Sequence, residues 1–528
     1  MNMNSDTMQV LIAMVCYVMF VIGIGAYFMK RSNQNSEEFF LGGRSLGPWV
    51  AAFSAEASDM SGWLLMGLPG VAYWCGLADA FWTALGLAIG TYINWLLIAK
   101  RLRNYSVIAG NSITLPDFFS NRFRENKKLI MMISSLLILV FFTVYASSCF
   151  VTCGKLFSTL FGVDYVWMMI AGAAFIVLYT FLGGFLAESV SDFMQAIVMI
   201  FSLCVVLGSG VAAAGGFNAV VENSQSIPGF LEFFGMAQPQ MAGGLQQLSA
   251  SGAPMFGASA PYGLITVIST MAWGLGYFGM PQVLLRFMAI RDAKELTKSR
   301  RIATIWVVIS LVAAVAIGIV GRTLYPDALL SSGSAENIFV VMSTSMLPPL
   351  FAGIVMAGIL AATISSSDSY LLIAASAVSK NIYQGITKKD ATDKQVMTVS
   401  RVTLVIIAII GVLIAMDEQS VIFTIVSFAW AGFGATFGPL LIFSLSWKRI
   451  NRTGAIAGML SGAGVVFVWK LLIKPIGGIF GIYELLPAFI ISCICIVAFS
   501  LATEKPSVEL DADFDEARRL TAGMRSGK

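Results

Sequence analysis

The sequence predicts an all-α polytopic membrane protein, and three observations carry that prediction. Of the 528 residues, 57% are hydrophobic and 12% charged, whereas a soluble chain carries about 25% charged residues. The apolar residues gather into thirteen runs, most of them about 20 residues long, the length that crosses a bilayer core as a helix. The basic residues cluster in alternate connections between those runs, as cytoplasmic loops do. The chain has no histidine, which excludes His-based triads and His-ligated metal or haem sites.

The runs are 9–29, 47–73, 79–99, 129–160, 166–185, 191–214, 264–287, 302–320, 348–380, 401–416, 421–446, 455–473 and 484–502. The first is long for a cleavable signal, and no basic residue precedes it, so it reads as a real span. Basic residues follow span 1 (Lys30, Arg31, Arg44), span 3 (Lys100 to Lys128), span 7 (Arg291 to Arg301), span 9 (Lys380 to Lys394) and span 11 (Lys448, Arg449, Arg452). The segment 215–263 has neither Lys nor Arg, and Arg322 and Lys474 are the main exceptions to the alternation. This pattern places the N-terminus outside and the C-terminus in the cytoplasm of a multi-pass plasma-membrane protein, as in a bacterial cytoplasmic membrane. One transmembrane domain, 1–503, is expected, with an extracellular loop at 215–263 and a short cytoplasmic tail at 504–528. The loop reads as a linker or as a lid with short helices around Ile227–Phe234. The seven cysteines lie almost entirely in apolar runs with no zinc spacing, so they read as small buried hydrophobes.

Two spans break the rules of an ordinary membrane helix. Span 2 contains SAEASDMSGWLLMGLPG (54–70), with Glu56 and Asp59 at spanning depth. An intramembrane carboxylate costs roughly 2.5–3.5 kcal/mol to insert and marks a site. Span 7 reads MAWGLGYFGMPQVLLRF (271–287), interrupted by Gly274, Gly276, Gly279 and Pro281. Interrupted helices five spans apart point to inverted repeats, here 47–214 (spans 2–6) and 264–446 (spans 7–11), with a site at the midplane. Span 9 adds oxygens: Ser365, Ser366, Ser367, Asp368 and Ser369. Carbonyls from an unwound helix and hydroxyls from its neighbour suit a monovalent cation such as sodium better than a divalent one. GLGYFG (274–279) lies within a span without Lys, so it is no phosphate loop. No nucleophile–base constellation is visible, and the chain does not read as an enzyme.

Three long segments, FFLGGRSLGPWVAAFSAEASDMSGWLLMGLPG (39–70), MAWGLGYFGMPQVLLRFMA (271–289) and SFAWAGFGATFGPLLIFSLSWKRINRTGAIAGM (427–459), resemble the sodium/solute symporter family, and the likeness runs through nearly the whole chain. The resemblance implies the leucine-transporter-like five-plus-five fold and sodium-coupled import by alternating access. Proline is the expected solute, with pantothenate, a monocarboxylate, a sugar or sialic acid as alternatives and a transporter-fold receptor or channel as a further one. Sodium, and lithium in its place, is the expected co-transported ion. No nucleic acid and no obligatory protein partner besides the lipid bilayer are expected.

Carried over by motif, the sodium ligands fall on Ala57, Met60, Ala362, Ser365 and Ser366. Coupling residues fall on Asp59, Ser61, Gly62 and Arg44, and solute-cavity residues on Trp273, Tyr277, Pro281 and Tyr145. A second cation site, as some members have, would use Asp192, Asp368 and Ser369. The chain departs from the expected pattern at four residues, of which Asp368 and Ser369 are two. Ser366 stands where threonine is expected, which preserves the hydroxyl, and Glu56 stands where glycine is expected. The aromatic pair Trp273 and Tyr277 suits an apolar ring and its ammonium, and a half-helix N-terminus suits a carboxylate.

Overall fold

The structure is a computed structural model and describes residues 5–32, 36–182 and 184–526. Among them, ten helices are long and apolar enough to cross a membrane, or eleven if one bent pair counts as a single span. The thirteen expected spans are therefore not all matched. Tyr165–Phe181 and Trp63–Cys75 are shorter apolar helices, and 47–73 is broken into pieces.

The helices that build the bundle are α1 (Ser5–Ser32), α2 (Pro48–Asp59), α3 (Leu68–Cys75), α4 (Leu77–Leu97), α5 (Leu129–Phe161), α6 (Tyr165–Leu182), α7 (Phe185–Ala213), α8 (Leu264–Met271), α9 (Pro281–Ala289), α10 (Leu296–Leu324), α11 (Pro349–Ser376), α12 (Asp393–Ile414), α13 (Ile422–Ser446), α14 (Arg452–Val468), α15 (Leu485–Ala502) and α16 (Val508–Ser526). Starts follow local chemistry. Pro occupies the first turn of α2, α9 and α11, where its missing N–H costs nothing. Thr392 caps α12 with a reciprocal bond from Gln395.

Helices α11 and α13 are the most enclosed, while α1, α14 and α15 lie at the periphery. Helix α11 packs against α1, α5 and α7, so the serine cluster it carries lies at the centre of the molecule. The outer helices turn apolar faces outward: Val402, Ile406, Ile409 and Leu413 on α12 are exposed. An apolar surface of this kind is what a bilayer covers.

The two interruptions are structural. Helix α2 stops at Asp59, Met60 leaves helical geometry (φ −86°, ψ 81°), and a π-helical turn at Trp63–Gly67 leads into α3. Helix α8 continues through Trp273–Gly276 and a 3-10 turn at Tyr277–Gly279, then bends by 43° into α9. The second break is held where three glycines meet. A Cβ on Gly90 would lie 2.3 Å from the Gly274 carbonyl, and one on Gly274 would lie 2.2 Å from that of Gly86.

Segment 215–263 is an ordered cap. Its helix is Phe217–Gln225 rather than 227–234, where the chain runs in turns. Two short antiparallel ladders follow, Gly235–Met236 with Ala260–Pro261 and Met241–Ala242 with Leu245–Gln246. Arg322 pins the cap: its guanidinium donates to Gln246 at 2.7 Å between the rings of Tyr73 and Phe256. Of the seven cysteines, all free, only Cys149 and Cys153 are buried; Cys16 and Cys204 sit on the apolar exterior instead of the expected interior.

Candidate functional site: the broken helices and α11

The break in α2 leaves carbonyls without helical partners, and α11 supplies hydroxyls opposite them. Ser365 Oγ donates to the Ala57 carbonyl at 2.8 Å, and Ser366 Oγ lies 3.2 Å from the same oxygen. Ser365 also reaches the carbonyls of Ala361 (2.8 Å) and Ala362 (3.3 Å) on its own helix. Four of the five expected sodium ligands thus converge, on two helices and in a fully buried place. Met60, the fifth, lies at the break itself.

Asp59 anchors the break from two directions. Its carbonyl accepts from Trp63 Nε1 (3.2 Å) and faces the hydroxyls of Tyr145 and Tyr370, both at 3.3 Å. Its carboxylate accepts from Gln282 Nε2 at 3.1 Å, which ties α2 to α9. Tyr145, expected to line the solute cavity, thus contacts the backbone at the break in α2. Gly62 permits the close approach of α5: a Cβ there would lie 2.3 Å from Thr152 Oγ1. Ser61 is buried beside it. Glu56, unexplained by the motif, accepts from Trp95 Nε1 at 3.1 Å.

On the α8–α9 side, Trp273 stacks on Tyr483 (5.2 Å) and meets Phe423 at a tilt (4.9 Å), and its carbonyl accepts from Trp430 Nε1 at 2.8 Å. These rings floor a cavity of about 330 Å³, on the side away from the tail, that also presents Asp79, Tyr262 and Lys474. Tyr277 meets Trp430 edge-on at 5.0 Å, one turn deeper. Pro281 starts α9 and is buried.

Arg44 lies at the tail-side edge. It takes a left-handed conformation (φ 51°) and donates to Met288 O (2.7 Å), Ser112 O (2.8 Å), Ser106 Oγ (3.1 Å) and Asn111 Oδ1 (3.2 Å). A short bridge runs alongside, with Leu46 N–H to Ala289 O at 3.2 Å and Arg291 N–H to Leu46 O at 3.0 Å. Burial and the nearby Arg103 push the Arg44 guanidinium down to about 10, still charged at neutral pH. Together these bonds tie the start of α2, the 106–112 loop and the end of α9.

The residues expected at a second cation site lie together, around a side chain that sequence reasoning missed. Asp192 and Ser369 both bond the guanidinium of Arg286, at 3.0 and 2.9 Å, and Glu188 pairs with it as well. Asp368 lies beside them and accepts from the Ser369 backbone N–H at 2.8 Å. Arg286 could have been found as a charge within an apolar run, and Glu188 as a charge just ahead of one. Their partnership could not, because 98 residues separate them. No cluster of His, Cys, Asp and Glu fit for a metal ion occurs among the described residues.

The sodium:solute symporter family model matches residues 39–462. The chain belongs to the sodium:solute symporter family. It is 40% identical over 525 residues to Sodium/proline symporter 2 of Staphylococcus saprophyticus subsp. saprophyticus, covering 98% of each chain. It is 39% identical over 518 residues to the Sodium/proline symporter of Staphylococcus aureus strain USA300, covering 97% of this chain and 96% of that one. Among solved structures it resembles a Na+-coupled sialic acid symporter in a substrate-bound outward-open state, with a TM-score of 0.74, 17% identity, and 94% and 99% of the two chains covered. The nucleobase-cation-symport-1 family transporter MHP1, bound to bromovinylhydantoin, matches with a TM-score of 0.51, 13% identity and coverage of 92% and 99%. These likenesses show the fold, a leucine-transporter-like bundle. The protein is a multi-pass membrane transporter of a sodium-coupled family, not an enzyme.

Proposed function

We propose that the chain imports L-proline with sodium by alternating access. The observation that carries the cation half is the meeting of the Ser365 and Ser366 hydroxyls with the Ala57 carbonyl at the break in α2. Sodium enters there, held by carbonyls of Ala57, Met60 and Ala362 and by the two hydroxyls, and lithium takes the same place. Bound cation pulls α2 and α11 together. Asp59, Ser61 and Gly62 keep the break in shape, and the Asp59–Gln282 bond passes that shape to α9. Coupling is then a difference in solute affinity between the sodium-bound and sodium-free arrangements.

Proline as the solute is supported by the two relatives, whose names specify it. Trp273 and Tyr277 offer aromatic faces to a pyrrolidine ring and its ammonium, Pro281 opens the half-helix beside them, and Tyr145 acts through the Asp59 backbone. Arg44 latches the tail side while the cavity above Trp273 is open. In this reading the chain crosses the membrane thirteen times, counting the broken α2–α3 pair and α6. Spans 2–6 (47–214) and 7–11 (264–446) are the two repeats within one domain, 1–503. The N-terminus and the 215–263 cap lie outside, the tail 504–528 is cytoplasmic, and the bilayer is the one obligatory surrounding.

Uptake of radiolabelled proline into proteoliposomes under sodium, lithium and potassium gradients tests this directly. The expected result is uptake with sodium, weaker uptake with lithium and none with potassium. Sodium-driven uptake of another solute (pantothenate, a monocarboxylate, a sugar or sialic acid) without proline transport would move the substrate assignment. Flux without counterflow would indicate a channel.

A further inference from the structure

Arg286 is fully buried, and every one of its guanidinium nitrogens is engaged. Nε donates to Ser54 Oγ at 2.9 Å on α2, and Nη1 to the Gln282 carbonyl at 3.2 Å on its own helix. Nη2 reaches Asp192 (3.0 Å) and Glu188 on α7 and Ser369 Oγ (2.9 Å) on α11. Ser54 Oγ itself donates to Asp192 at 2.7 Å. Ser369 Oγ also lies 3.0 Å from the carbonyl of Ser365, the residue that meets Ala57 one turn away.

A mobile cation bound at this spot would draw on these same oxygens: two carboxylates and a hydroxyl. The guanidinium supplies the positive charge instead, and its covalent stem keeps it from crossing with the solute. It also braces the two helices, α2 and α11, that build the Ala57–Ser365 site, from a base on α9. Removing one partner of a buried ion pair leaves an uncompensated charge, and a buried carboxylate pair without a countercharge recruits a cation or a proton.

We propose that Arg286 is a tethered internal cation that takes the second cation position, so that one sodium accompanies each solute. In this role it is a positioning residue. It holds the α2–α11 pair in register with α9 whether or not sodium is bound. This inference rests on the sodium-symport reading above and deepens it.

The test is the ion stoichiometry of the purified full chain. Sodium-22 and radiolabelled proline fluxes are measured together in proteoliposomes, with equilibrium sodium-22 binding per chain as a second readout that needs no solute transport. Wild type and Asp192→Asn, in which Glu188 still holds the guanidinium, are expected to give one sodium per proline and one per chain. Arg286→Gln vacates the two carboxylates, so its sodium count and Hill coefficient are expected to rise toward two. Adding Glu188→Gln and Asp192→Asn to that variant returns them to one. Two sodium ions in wild type, falling to one in Asp192→Asn, would overturn the proposal, as would a folded Arg286→Gln that still binds one. If Arg286→Gln fails to fold, the wild-type and Asp192→Asn counts decide. Absence of proline uptake by wild type with one sodium still bound per chain would count against the solute and leave the proposal standing.

Discussion

At the scale of single residues, hydroxyls and missing side chains do different work. Ser365 and Ser366 each offer one oxygen to the proposed ion. A hydrogen-bond-strength interaction with a charged group is worth about 1.5–3 kcal/mol, so Ser365→Ala or Ser366→Ala is expected to raise the half-saturating sodium concentration for uptake by roughly 10- to 150-fold. An unchanged sodium dependence in both variants would remove these residues from the site. Gly62 acts through space alone. Gly62→Ala places a methyl 2.3 Å from Thr152 Oγ1 and 2.6 Å from its Cγ2, so it is expected to abolish uptake. Trimming the neighbour in Gly62→Ala/Thr152→Ala is expected to restore a measurable part. If the double variant stays as inactive as the single one, the steric account fails. Asp59 and the α11 serines stood out because a carboxylate and clustered hydroxyls at spanning depth are informative by themselves, whereas Gly62 was singled out only by the motif. The bond from the Tyr145 hydroxyl to the Asp59 carbonyl was not legible, because a motif carries no information about which way a ring points.

At the scale of elements, buried ion pairs join helices in addition to apolar packing. Lys155 on α5 donates to Glu336 at 2.7 Å and to the carbonyls of Gly333 (3.0 Å) and Ser420 (2.7 Å). Glu336 in turn accepts the backbone N–H groups of Ile422 (2.9 Å) and Phe423 (3.0 Å), capping the start of α13 beneath the ring that meets Trp273 at a tilt. Both side chains are almost fully buried, so truncating one leaves the other unpaired. Lys155→Met and Glu336→Gln are each expected to destabilise the fold by about 3–5 kcal/mol. Thermal unfolding in detergent measures this, and the double variant is expected to recover much of the loss. Equal losses that simply add would show that the two charges are not coupled. None of this was legible in the sequence. Residues 155 and 336 lie far apart along the chain, and periodicity reports the face of a helix, not its neighbour.

At the scale of the whole molecule, the tail side is closed by two layers of polar contact. The inner layer is the Arg44 clasp. Replacing Arg44 with Ala removes bonds to two separate segments, 106–112 and the end of α9, and is expected to shift the population toward an arrangement open on that side. Hydrogen exchange in 99–112 and 281–291 should speed up, with lower uptake; unchanged protection there would show that the clasp does not hold the gate. The outer layer is α16, which docks by Arg124 to Glu509 (2.6 Å) and Asp513 (2.8 Å) and by Lys448 to Asp515 (2.7 Å). Lys448 holds the Asp515 carboxyl below the usual range, and Asp515 holds the Lys448 ammonium above its own. A depressed carboxyl contributes fully above its unfolded value and is lost as pH falls. A raised ammonium contributes fully below its unfolded value and is lost as pH rises. Docking of α16 is therefore expected between about pH 4 and about pH 10 and to weaken with salt, since these pairs are exposed. Proteolytic cleavage between 503 and 508 against pH and ionic strength reads this out. Cleavage insensitive to both would show that apolar contacts of Phe514 hold the tail alone.

The sequence by itself determined the membrane class, the helical runs, both interruptions and the serine cluster of α11. These depend on local composition: apolar length sets a span, and Gly, Pro and intramembrane acids mark where a helix breaks. It also pointed to two breaks at matching places in two halves, which is information held in order along the chain. Tertiary structure alone decided what each exception was for. Arg322, an anomaly in the charge pattern, became the pin of an ordered cap. Glu56 found Trp95, Asp59 found Gln282, and Asp192 and Ser369 closed around Arg286. Each of these is a partnership across tens to hundreds of residues. In a low-dielectric interior a charge or polar group is defined by its partner, and only folding brings that partner within reach.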